Sequence, residues 1–151
     1  MPTHVHASDN VAHLATIDPD ATTASTVTSE WVDASEFHTL MAVVLAGTLG
    51  SSATVNAKLE QATSAAGAGA KDISGAAITE LTQAGTDSDT ESIISLQTDA
   101  LDVDGGFRYV RLSVTVAVAT SDIAGYIIGV SPRVGPASDW NASSVNEVVR
   151  V

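Results

Sequence analysis

Apolar and polar positions alternate most cleanly over residues 107–118, FRYVRLSVTVAV. From Val110 on, every second residue is apolar (Val110, Leu112, Val114, Val116, Val118), and Tyr109, Arg111, Ser113, Thr115 and Ala117 stand between them. A period of two, rich in β-branched residues, predicts a strand with one face in a core and one in water. A helix would spread the valines around its circumference. Asp104-Gly105-Gly106 before the stretch and Ser121-Asp122 after it are turn signals. The stretch is expected to be a central strand with which the others pair.

The next clearest alternation is 53–62. Val55, Ala57, Leu59 and Gln61 point one way, and Thr54, Asn56, Lys58 and Glu60 the other. Residues 38–47, HTLMAVVLAG, are nearly all apolar. That predicts a strand buried on both faces, or a core strand whose outer face meets another subunit. Composition alone also permits a helix there, but the short length and the glycines that follow favour a strand. Residues 72–82 read as a weaker strand with a phase shift near Gly75, where a bulge is natural. Short strands are expected at 92–96 and 123–130, and the tail from Asp139 ends in a strand-like piece. Trp31 and Phe37 would anchor the first corner of the core.

Residues 1–29 show no sustained period, and Asp18-Pro19-Asp20 marks a turn. They predict an extended N-terminal arm, with one short strand around 11–17, that either becomes ordered along a neighbouring subunit or is plain terminal disorder. The folded domain is then expected over 30–151. Six or seven strands with turn signals every 10 to 15 residues, and no helical pattern, predict an all-β fold: an antiparallel β-sandwich, jelly-roll-like, with that arm.

Composition narrows the function. A chain of 151 residues is one domain, large enough to bury a core without disulfides, and there are no cysteines. A net charge of −12 with six Lys and Arg argues against nucleic acid, because phosphate contacts need a basic face, and against anionic membranes. No apolar run of membrane-spanning length and no leader pattern is present, which predicts a soluble chain. Only six residues are aromatic, fewer than a pocket enzyme or sugar site usually needs.

Candidate chemistry is sparse. His4 and His6 would project from one side of an extended arm and, with His13, offer imidazoles to zinc or nickel. No further ligand follows at a fixed spacing. Asp99, Asp102 and Asp104 before Gly105-Gly106 offer carboxylates to calcium, but the spacing is not that of an EF-hand, and Asp is also chosen for turns. Neither a glycosidase pair beside aromatics nor a G-x-S-x-G nucleophile stands out. No enzyme activity, cofactor or metal is therefore expected. Arg108 and Arg111 flank Tyr109 on the central strand. Arg108 would pair with a carboxylate, one of Asp99–Asp104 being at hand, and Arg111 on the wet face is either a subunit contact or half of a local ion pair. Arg111, Tyr109, Trp31 and Phe37 are the interface candidates.

The order W-x-D-x-S-x-F (31–37), ATVNAKLEQA (53–62), KDISGA (71–76) and FRYVRLSVTV (107–116) resembles small proteins from the structural gene clusters of tailed bacteriophages. These are virion head proteins of the capsid decoration (cement) or head-fibre type, and the likeness covers roughly 30–135. It implies a β-sandwich on the outside of a capsid in the virion, assembled in the host cytoplasm. The implied partner is the major capsid protein, bound by a homotrimer at a local three-fold position, and the implied task is to stiffen the shell. A ligand-binding sandwich of carbohydrate-binding or adhesin type is the alternative, with Tyr126 and Trp140 as its platform, and a tail or baseplate component is a third.

Overall fold

The computed structural model describes residues 6–151. Ten strands follow a single helical turn at Ala7–Asn10: β1 (Val11–Thr22), β2 (Ser25–Thr28), β3 (Val32–Asp33), β4 (Phe37–Ala46), β5 (Thr54–Ala62), β6 (Lys71–Ala77), β7 (Leu81–Thr82), β8 (Thr90–Gln97), β9 (Tyr109–Ala117) and β10 (Ser121–Pro132). One sheet has the order β1-β10-β4-β8; the other has β2-β9-β5-β6, with β3 beside β9 and β7 beside β5. All pairings are antiparallel.

The eight longer strands pair first with last: β1 with β10, β2 with β9, β4 with β8, and β5 with β6. This is one long antiparallel hairpin rolled on itself. The roll adds the contacts β10·β4 and β9·β5 and closes two sheets face to face. The chain is thus an all-β antiparallel sandwich of jelly-roll type.

Alternation decides what enters the space between the sheets. Val110, Leu112, Val114 and Val116 of β9 are buried beside Val55, Ala57 and Leu59 of β5. Leu40, Ala42, Val44 and Ala46 of β4, with Ile123 and Ile127 of β10, fill the core from the opposite sheet. The inward positions between and after those isoleucines are glycines. A Cβ on Gly125 would stand 2.7 Å from Leu112 Cδ2, and one on Gly129 would stand 2.6 Å from the Phe37 ring. Missing side chains on β10 thus let Leu112 and Phe37 reach its backbone.

Three expectations change. Residues 1–5 of the expected arm lie outside the described residues, and from Val11 onward the segment is paired inside the molecule and forms no separate arm. β1 lies along β10 and β2 along β9, so the sandwich begins near Val11 and not at residue 30. The physical reason is the roll, in which the first strand is the partner of the last. The alternation of β9 stops at Val116. Val118 has φ +74° and is exposed, because the chain turns there toward β10. The tail after Asp139 contains no strand; it forms a short helical turn at Ala137–Trp140 and then coil.

Close approach at Gly129 yields a test. Gly129→Ala is expected to cost about 1–3 kcal/mol, read from the urea midpoint, because the new methyl overlaps the Phe37 ring. In a Phe37→Leu background the penalty should shrink. An equal penalty in both backgrounds would mean that the ring is not the obstacle.

Candidate functional site

The two outer faces differ in character. That of the β2-β9-β5-β6 sheet is polar and tied together by charge. Lys58 Nζ reaches Asp72 at 2.7 Å and Glu60 at 3.5 Å, and Glu60 accepts from Arg111 Nε at 2.7 Å. The Arg111 guanidinium lies 4.6 Å from the ring centre of Trp31. Beyond this chain of contacts, Thr26 and Thr115 share a hydrogen bond of 2.8 Å across β2 and β9. Arg111 is thus held in a local ion pair, and Trp31 is closed in by Arg111 and by Gly67, where a Cβ would stand 2.7 Å from Nε1. Tyr109 is half-buried on the same face, 5.3 Å from the Arg108 guanidinium.

Phe37, the fourth interface candidate, lies inside the molecule. The side chain is 1% exposed, packed on Gly129 and edge-on to Trp140 at 6.4 Å, so it belongs to the core. Arg108 pairs with Asp33 (Nε 3.2 Å from Oδ1) and not with an acid of 99–104. Asp102 instead accepts from Lys71 at 2.5 Å and from the Gly105 amide at 2.9 Å, which is turn chemistry. Among the described residues no three acidic or imidazole side chains converge as a metal site. His4 lies outside them; His6 is exposed, and His13 leans on Tyr126 at 6.4 Å.

The other outer face is the unusual one. On β4 the residues between the core positions are Thr39, Met41, Val43 and Leu45, and strand register places them in rows. Val43 lies between Tyr126 and Ile93, Met41 between Ile128 and Ser95, Leu45 between Ala124 and Glu91, and Thr39 between Val130 and Gln97. Ile93 is 55% exposed and Leu45 39%; Met41, Ala124, Tyr126 and Val130 are half-buried, and Val43 and Ile128 are shielded by their neighbours. Acidic side chains gather at one end, where Glu91, Asp122 and Asp20 stand near Leu45, and the edge strand β1 adds the polar His13, Thr16 and Asp18. Four strands about 4.8 Å apart and some six residues long make a face on the order of 300–400 Å². Apolar side chains take up only part of that area, and a patch of a few hundred Å² is common on monomers and is often functional.

A second feature is a notch at one end of the sandwich, lined by Leu14, Trp31, Val32, Asp33, Glu36, Phe37 and Trp140. It gathers both tryptophans of the chain beside two carboxylates. The sequence reading grouped Trp140 with Tyr126 instead; nothing in the sequence showed that the C-terminal turn docks on Phe37.

Comparisons with known proteins add little to this geometry. No family profile matches the chain, and no curated protein matches it in sequence. Among solved structures it is similar to a chain of Broad Bean Stain Virus (12% identity, 76% of this chain and 64% of that one, TM-score 0.38). It is also similar to a chain of a Cowpea Mosaic Virus empty virus-like particle (12%, 90% and 91%, TM-score 0.40) and to the xylan-binding module CBM15 (12%, 83% and 94%, TM-score 0.38). The chain thus spans just under two thirds of the bean virus chain. Overlaps at this level do not separate a capsid protein from a sugar-binding module.

Asp33 joins the tryptophan notch to the central strand. Burial pushes its carboxyl up, but hydrogen bonds from Arg108 and from Ser35 outweigh that and hold it below the usual carboxylate range. A depressed folded pKa gives stability that is complete above the unfolded value, about 4, and is lost as pH falls through the folded one. Asp33→Asn should therefore be less stable at neutral pH and show a shallower acid limb, so that the two melting temperatures converge as pH falls through the lowered folded pKa. Parallel acid limbs would contradict this.

Proposed function

We propose that this protein is a non-enzymatic structural protein of a phage virion, a decoration protein that binds the outer capsid surface and stabilises the shell. The observation that carries the reading is the apolar outer face of the β1-β10-β4-β8 sheet. The sequence resemblance supplies the phage setting, with the major capsid protein as partner. A decoration protein needs a rigid body and a docking face, and a sandwich whose strands β4 and β10 are apolar on both sides offers both. One such face is roughly half of the ~800 Å² that each partner of a standard interface covers. A single copy would therefore hold weakly, and retention on a shell would rest on repeated contacts.

The test is co-sedimentation with purified shells that lack the protein. Wild type should pellet with them and raise the temperature at which they release DNA. Leu45→Glu with Met41→Glu places two charges on the face without touching the core, and should weaken binding at least about tenfold. Binding that survives the double variant, or no binding by wild type, would remove the proposal.

A second reading, a carbohydrate-binding sandwich, is favoured by the notch of Trp31, Trp140 and Glu36 alone. It predicts that soluble β-linked oligosaccharides shift tryptophan fluorescence and that Trp140→Ala abolishes the shift. A flat titration would dismiss it.

A further inference from the structure

Each sheet of a sandwich has two edges, and three of the four edges here are guarded. β1 carries two register shifts, between His13 and Ala15 and between Ile17 and Asp20, and contains Pro19 flanked by Asp18 and Asp20. Its open side is also capped by the C-terminal tail: the His13 amide donates to Asn141 Oδ1 at 2.9 Å, and the His13 carbonyl accepts from the Ala142 amide at 2.8 Å. β2 is four residues long. β6 shifts register against β5, has Gly75 at φ +78°, and begins with Lys71 and Asp72. Bulges, proline, brevity and charge are the devices that keep an edge from pairing.

β8 has none of the first three and a single charge. Its register with β4 runs unbroken from Thr90 to Gln97, without proline, glycine or lysine and with Glu91 as its one charge. Among the described residues, no hydrogen bond from any segment other than β4 reaches the backbone of residues 91–97. Ile93, at the middle of the strand, is the most exposed large apolar side chain in any strand.

We infer that β8 pairs antiparallel with β8 of a second copy of this chain across a two-fold axis, joining the two four-stranded sheets into one of eight. The sequence of the strand is self-complementary. With Ile93 opposite its own copy, Glu91 faces Ser95 and Ser92 faces Ile94, so no like charges oppose one another and the two exposed isoleucines cover each other. The same register places Asp89 opposite Gln97, next to Thr98. The Thr98 hydroxyl accepts from Arg133 at 3.2 Å, and Arg133 is the one Lys or Arg without a carboxylate partner among the described residues. The pair also sets two apolar faces side by side and doubles the docking area. It is two-fold, where the resemblance implies three copies. It stands whether or not the protein binds a shell.

Sedimentation equilibrium of the purified full chain, with amide hydrogen exchange, tests it. A concentration-dependent dimer is expected, tighter as salt screens the −12 charge of each copy, with alternate amides of residues 91–97 gaining protection in the dimer. Ile93→Lys puts two ammonium groups on the axis and should weaken the dimer at least about tenfold without changing the monomer's melting temperature; Ile93→Val should keep it. A monomer at every concentration and salt, a trimer, a dimer indifferent to Ile93→Lys, or unprotected amides at 91–97 would each overturn the inference. Exchange on the wild-type chain decides the matter even if the lysine variant folds poorly.

Discussion

A strand whose two faces are both apolar needs two covers, and a two-layer sandwich supplies one. β4 and β10 are such strands. Their inner faces pack on β9 and β5, so close that Gly125 and Gly129 leave room for Leu112 and Phe37. Their outer faces carry Met41, Leu45 and Tyr126, which are partly open to water, and Val43 and Ile128, which these and other neighbours shield. Those outer side chains add nothing to holding the two layers together, and polar residues there would serve the isolated monomer as well.

The opposite sheet shows the ordinary solution. Its outer face is Thr, Ser, Asn and a run of ion pairs from Asp72 through Lys58 and Glu60 to Arg111, ending on Trp31. Exposed ion pairs of this kind contribute little each, but here they join β6, β5, β9 and the segment before β3. With five of six cations so engaged, most carboxylates stand alone, and the molecule presents an acidic exterior interrupted by one apolar face. That combination resists indiscriminate association and leaves one sheet to make contact.

Much of this was legible in the chain. The alternation of β9 and β5 named the buried residues as far as Val116 and failed at Val118, and the apolar run at 38–47 predicted a strand apolar on both faces. Gly75 marked the break in β6. What was not legible depends on pairing. β1 reads as an arm because two bulges and Pro19 break its period, and only its partnership with β10 restores the sense of residues 11–22. Asp33 and not Asp102 takes Arg108, and Trp140 docks on Phe37, because the roll brings together segments far apart in sequence. The aromatic and arginine residues that drew attention as interface candidates lie on the polar sheet or in the core. The outer face of the other sheet is built from residues that look, one at a time, like ordinary strand filling.

Oxidative footprinting of particles that carry the protein, set against the free protein, tests the central claim most directly. Met41 and Tyr126 should be protected on the particle while Tyr109 and Trp31, on the opposite sheet, keep their reactivity. Protection of Tyr109 and Trp31 with Met41 and Tyr126 unchanged would contradict the account and return the interface to the polar sheet.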